Sequence, residues 1–263
     1  MVVRLIWILG DQLLPEHPLL TSPAKDGLVG MIESAPRAGH LRYHQQKLTL
    51  LYAAMRHHAV ALKKAGHRVL YRRLTEGPPA DGYAEVLRRW IQEHKIKEIH
   101  LLDPNEYDTQ QALPTLSKKL GIPIQTHRSP QFLVPRTDFS AWANGKKHLL
   151  MEAHYRRLRT ERNILMTAQG QPEGGDWNLD DQNRRTFREF AKEKPKIPPL
   201  PAAEKDPVIR EAATEVAKLF PNHPGKAADL WIPATRAGAL EWLKNFIRFR
   251  LGQFGPWEDT MVE

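Results

Sequence analysis

Residues 3–9, VRLIWIL, form a nearly unbroken apolar run that ends in the polar loop Gly10-Asp11-Gln12. A strand covered on both faces needs such a run, and parallel sheets are where such strands occur. Coming first in the chain, it suits the centre of a parallel sheet. Its loop then leaves from the carboxyl edge, where open α/β sheets bind ligands. Asp11 at that place has two readings. It caps the following turn, or it faces a ligand.

The remaining pattern supports the sheet. Strands are expected at 3–9, 28–33, 68–74, 98–103 and 122–127, with helices at about 41–65, 81–95 and 108–120 between them. Leu48, Leu51, Met55, Ala59 and Leu62 fall at the three-to-four spacing of one buried helix face, and Gly66 supplies the stop. Five strands joined by helical crossovers imply a Rossmann-like, doubly wound parallel sheet over residues 1–135.

Beyond it the character changes. Residues 136–203 read as a connector containing a basic helix at 148–166, a Gly/Pro/Asp-rich stretch at 169–182 and the Pro-rich run 195–201. Residues 204–263 read as the start of an all-α region, with helices at about 207–219 and 234–252. In the second helix Leu240, Leu243, Ile247 and Leu251 line one face that no later helix in the sequence matches.

Composition narrows the chemistry. The chain has 263 residues, 41% of them hydrophobic, and no cysteine. Disulfides, thiol nucleophiles, thiolate zinc sites and iron–sulfur ligation by cysteine are excluded for these residues. No apolar run approaches the ~20 residues of a membrane span, and the first residues lack a signal-peptide pattern. A cytoplasmic location is the expectation. The net charge of +9 suits either an anionic partner such as DNA or an ordinary basic protein. There is no GxGxxG, no GxxxxGK[ST] and no GxSxG, so dinucleotide, P-loop and hydrolase readings have no support.

The more specific signal sits at the ends of the first two strands. If the strands are neighbours, Asp11 and Glu33 face one crevice. His40, His44, Lys47 and Leu51 follow at i, i+4, i+7 and i+11, the spacing of one helix face, with Tyr43 bordering it. Two acids, imidazoles, a cation and a phenol would suit a polar heterocycle better than a phosphate. Glu33 with His40 and His44 as a metal chelate, or a simply solvated helix start, are the alternatives. Arg156, Arg157, Arg159 and Arg162, followed by Arg184, Arg185 and Arg188, either meet phosphates or form an internally paired face.

Taken in order, ILGDQL at 8–13, Glu33, HQQKLTLLYAAMRHHAVAL at 44–62, LLDPNEY at 101–107, MEAHYRRLR at 151–159, GGDWNLDDQNRR at 174–185 and FGPWEDTM at 254–261 resemble the photolyase/cryptochrome-related family of the bacterial iron–sulfur type. That resemblance implies an antenna domain holding 6,7-dimethyl-8-ribityllumazine. It points to Asp11, Gln12, Glu33, Tyr43, His44, Lys47 and Leu51 as contacts. Gln45 and Gln46 stand where relatives carry lysines, and His58 stands where they carry an aromatic residue.

The resemblance also implies a longer parent. FAD and a [4Fe–4S] cluster are expected in a full-length relative, and this chain reads as its N-terminal half, without that catalytic part. The function expected is an antenna-type module of a light-dependent DNA-repair or cryptochrome flavoprotein. A stand-alone lumazine carrier or accessory nucleic-acid binder is the alternative. Expected partners are DNA through the basic surface, and either a helical half in trans or a second copy through the 240–251 face.

Overall fold

A computed structural model describes residues 3–23, 27–179, 183–202 and 206–260. Residues 180–182 of the GGDWNLDDQNRR segment and Met261 of the closing segment lie outside the described residues, as do 203–205 and 261–263 at the edges of the expected connector and all-α region. The first 133 residues build five strands, β1 (Arg4–Trp7), β2 (Leu28–Ile32), β3 (Arg68–Arg72), β4 (Glu98–Leu102) and β5 (Ile124–His127). They form one parallel sheet in the order β3-β2-β1-β4-β5. The opening run is central, as its apolar character requires, and Leu5, Ile6, Trp7 and Ile8 are at most 1% exposed.

Alternation along β1 divides the core in two. Ile6 and Ile8 pack with Val29, Met31 and helix α2 (Gln45–Lys64), whereas Leu5, Trp7 and Leu9 pack with Leu28 and with Val86 and Leu87 of α3 (Tyr83–His94). Leu113 of α4 (Tyr107–Leu120) closes the second layer. Every expected strand is present, shortened by one to three residues at its ends.

Helix starts differ more from expectation. A five-residue helix, α1 (Ala35–Gly39), follows β2, capped by the Ser34 hydroxyl accepting from Arg37 N. The helix expected from residue 41 begins at Gln45, because His44 Nδ1 accepts from Gln46 N at 3.3 Å and caps it. His40 and His44 are therefore outside α2 and share no helical face with Lys47 and Leu51.

By contacts the chain forms two units, residues 1–133 with 202–239, and residues 134–201 with 240–263. This division differs from the continuous 204–263 region expected from sequence. Helix α8 (Pro207–Leu219) packs on α2, burying Ala212, Ala213 and Val216 at i, i+1 and i+4. Gln45, itself buried, donates to Phe220 O at 3.1 Å and accepts from Ala227 N at 3.0 Å. Segment 206–239 is thus part of the α/β unit.

In the second unit the basic helix shortens to α6 (Met151–Arg162), ending where Asn163 turns left-handed. Phe139 and Trp142 of α5 (Arg136–Ala143) pack around His154 of α6. Helix α7 (Phe187–Glu193) sets Phe190 against Trp257. The helix expected at 234–252 ends at Phe249, and α10 (Leu251–Trp257) follows α9 (Arg236–Phe249) after a break at Arg250. Leu240, Leu243, Ile247 and Leu251 are all exposed. Among the described residues no helix is long and apolar enough to cross a membrane.

Candidate functional site

The strand order reverses direction between β1 and β4, and at such a switch point the loops leaving the two strands part to leave a crevice. A cavity of about 330 Å³ lies at the carboxyl ends of β1, β2 and β4, at the lower end of the range for small-molecule sites. Its apolar wall comes from Leu9 and Ile32 at the strand ends and from Leu48, Leu51 and Met55 along α2. Tyr43, Tyr52 and Tyr83 add ring surface, and Trp7 stands edge-on beneath Tyr83 at 5.1 Å. Polar groups line it too, with Asp11 after β1, Arg37 on α1, Lys47 on α2, and Asn105, Glu106 and Thr109 after β4.

The helices set these side chains by spacing. Leu48, Leu51 and Met55 recur at three and four residues, with Lys47 one turn before Leu51, so α2 presents one stripe to the cavity. Asp11 is held by its neighbours. Asn105 Nδ2 donates to Asp11 Oδ2 at 2.9 Å and to Gln131 Oε1 at 3.0 Å, while Gln131 Nε2 donates to the Asp11 carbonyl at 2.5 Å. Lys47 Nζ sits 4.6 Å from the Tyr43 ring centre, a cation–π contact. Burial pushes the Tyr83 phenol up to about 12, with Asp11 and Glu106 nearby reinforcing the shift. Burial likewise raises Tyr52. Both phenols are neutral hydrogen-bond donors at neutral pH.

Of the seven residues singled out from sequence, Asp11, Tyr43, Lys47 and Leu51 line the cavity. The other three are placed elsewhere. Gln12 is fully buried and turns its amide to the carbonyls of Leu102 and Asp103, at 3.3 and 3.0 Å, clipping the β1 loop to the end of β4. His44 caps α2 and lies against Gly225, where a Cβ would collide with its ring.

Glu33 does not share the Asp11 crevice. Its carboxylate accepts from Arg56 Nε at 2.8 Å, Arg56 Nη2 at 2.9 Å, Tyr71 Oη at 2.6 Å and Leu74 N at 2.9 Å. Arg56 also pairs with Glu215 of α8, and Arg73 joins Glu215 at 3.1 Å. The carboxylate is thereby saturated inside a buried ion cluster. Nor do Glu33, His40 and His44 form a chelate: the described residues hold no group of three or more His, Cys, Asp or Glu suited to a metal ion.

Residues missed in the sequence are those after β4 and on α1. Asn105, Glu106 and Thr109 come from LLDPNEYDT, a segment whose signal was its place at the end of a strand beside β1. Arg37 had none, because α1 is too short to carry a period.

The α6 arginines are largely engaged within their own unit. Arg156 pairs with Glu152 at 2.7 Å and Arg157 with Glu161 at 2.8 Å, one turn away in each case. Arg159 is buried, donates to Ile164 O at 3.1 Å and lies over Trp177 at 5.2 Å.

Comparison with known proteins agrees with this architecture. The family model described as deoxyribodipyrimidine photo-lyase-related protein matches residues 6–231. A (6-4) photolyase of Agrobacterium fabrum is 30% identical over 99% of this chain, which spans 50% of that protein's length. An uncharacterized protein of Acanthamoeba polyphaga mimivirus is 26% identical over 56% of the chain and 74% of its own length. The family match runs from the central strand through the segment that returns to α2, and it covers every residue lining the cavity. With this sheet order and a cavity at its switch point, the chain belongs to the deoxyribodipyrimidine photo-lyase-related protein family.

Proposed function

We propose that this chain is an antenna-type chromophore module, the light-collecting part of a DNA-repair or cryptochrome flavoprotein, and that its cavity takes a two-ring heterocycle such as 6,7-dimethyl-8-ribityllumazine. The observation that carries this is the cavity itself. It combines an apolar wall from α2 and the strand ends with three phenol rings and a set of hydrogen-bonding groups.

The donor set fits that class of ligand. A flat heterocycle needs apolar and aromatic surface for its faces and a few placed polar groups for its edge. Lys47 and the Tyr83 hydroxyl are donors for carbonyl or ring-nitrogen acceptors. Asp11, held by Asn105, is an acceptor for ring N–H or polyol hydroxyl groups. Such a chromophore supplies light absorption when bound. The chain's own residues orient it, exclude water from its faces, and hold it at the carboxyl edge of the sheet. No thiolate is present among the 263 residues to ligate an iron–sulfur cluster, and no part of this proposal runs through one.

The purified chain tests it. The absorbance of the protein as isolated, and after incubation with the lumazine and removal of free ligand, is expected to show a retained chromophore band. Retention should disappear when Leu51→Trp fills the apolar wall. A colourless protein that also retains no added lumazine would refute the proposal.

A further inference from the structure

We propose that the Arg37–Glu106 ion pair is a strap across the mouth of this cavity, controlling how fast a heterocycle enters and leaves; the proposal rests on the chromophore reading above. Arg37 stands on α1, just beyond β2, and Glu106 precedes the first residue of α4, just beyond β4. The sheet order places β1 between those strands. The pair therefore links the two lips on either side of the β1 loop, a separation of roughly 10 Å at the strand ends. Long Arg and Glu side chains together cover it.

The two ends of the strap differ in freedom. Thr109 Oγ1 donates to Glu106 at 2.6 Å, and Thr109 together with Arg37 holds the Glu106 carboxyl below the usual carboxylate range. Arg37 sits on a helix of only five residues. Both side chains line the cavity while remaining partly exposed, at 32% and 46%. An exposed ion pair is a weak tie that salt loosens further. Such a tie suits repeated opening. The opposite side of the mouth is fastened by the bonds of Asn105 and Gln131 to Asp11, which do not depend on a cation. Opening is thus confined to the α1 lip.

Stopped-flow fluorescence with 6,7-dimethyl-8-ribityllumazine as probe tests this on the full chain, comparing wild type with Glu106→Gln and Arg37→Met. Association and dissociation rate constants are expected to rise together, about three- to tenfold, in both variants. Added salt should accelerate both rates in the wild type and have little effect in the variants. Unchanged rates would overturn the strap. So would faster dissociation with unchanged association, which marks direct ligand contacts instead. Hydrogen exchange without ligand separates this from the chromophore reading. If the wild type binds no lumazine, that reading fails alone, and the strap then stands or falls on faster exchange of the Ala38–His40 amides at the end of α1 in Glu106→Gln.

Discussion

Asp11 and Glu33 follow adjacent parallel strands, each within four residues of the strand end, yet they occupy opposite environments. Asp11 is exposed at a cavity rim and, among the described residues, held by the neutral amides of Asn105 and Gln131, whereas Glu33 is 2% exposed inside an ion cluster. The difference comes from what covers each loop. Arg56 projects from α2 over the end of β2, and α8 returns from far along the chain to add Glu215. Nothing comparable among the described residues seals the β1 loop at the switch point. A carboxylate at the carboxyl edge of such a sheet becomes a ligand contact or a brace according to whether a helix closes over it.

The sharpest way to break this comparison is to remove each acid. Glu33→Ala leaves Arg56 buried without its main partner, and losing one member of a buried pair costs ~3–5 kcal/mol. Chemical denaturation should show that loss. If Glu33→Ala and Asp11→Asn destabilise equally, the two sites are not different in kind.

Stability should also depend on pH through a buried histidine in the loop after β1. His17, 4% exposed, has its pKa lowered to about 4 by burial, with His58 adding to the shift. Its unfolded pKa is near 6.5, so between those values the unfolded chain binds the additional proton. Stability is therefore full above about 6.5 and falls as pH drops toward 4, by ~1–3 kcal/mol from this group. Denaturation at pH 7 and pH 4.5 should show the decline, and His17→Leu should flatten it. An unaltered slope in that variant would assign the effect to other groups.

Smaller effects are expected on the open side. Asp11→Asn and Lys47→Ala should each weaken lumazine binding about tenfold, the scale of one charge-assisted hydrogen bond at ~1.5 kcal/mol. Isothermal titration measures this directly. The smallest effect is on stability, where Asp11→Asn should fall within ~0.5 kcal/mol of wild type.

The sheet was legible because an apolar run this continuous has few other homes, and β1 lies at the centre where its pattern puts it. The cavity was legible in part. Lys47 and Leu51 share the stripe their spacing implies, but His40 and His44 do not, since a residue just before a helix and one just inside it have the same spacing in sequence. Only the His44 cap shows where α2 begins. Glu33 looked like Asp11 because both end strands, and its saturation comes from Arg56, Tyr71 and Leu74 N, 23, 38 and 41 positions further on, while Glu215 of α8 adds the second acid on Arg56. The Pro-rich run at 195–201 reads as a boundary, yet the chain returns to the first unit directly after it. Returns of that kind leave no local period to detect.

The most direct measurement is an equilibrium fluorescence titration of wild type, Leu51→Trp and Tyr71→Phe with 6,7-dimethyl-8-ribityllumazine. Saturable binding with a stoichiometry near one is expected for wild type and Tyr71→Phe, which alters only the Glu33 cluster, and binding at least tenfold weaker for Leu51→Trp. Equal affinity in Leu51→Trp and wild type, or no saturation in any of the three, would contradict a chromophore site at the switch point.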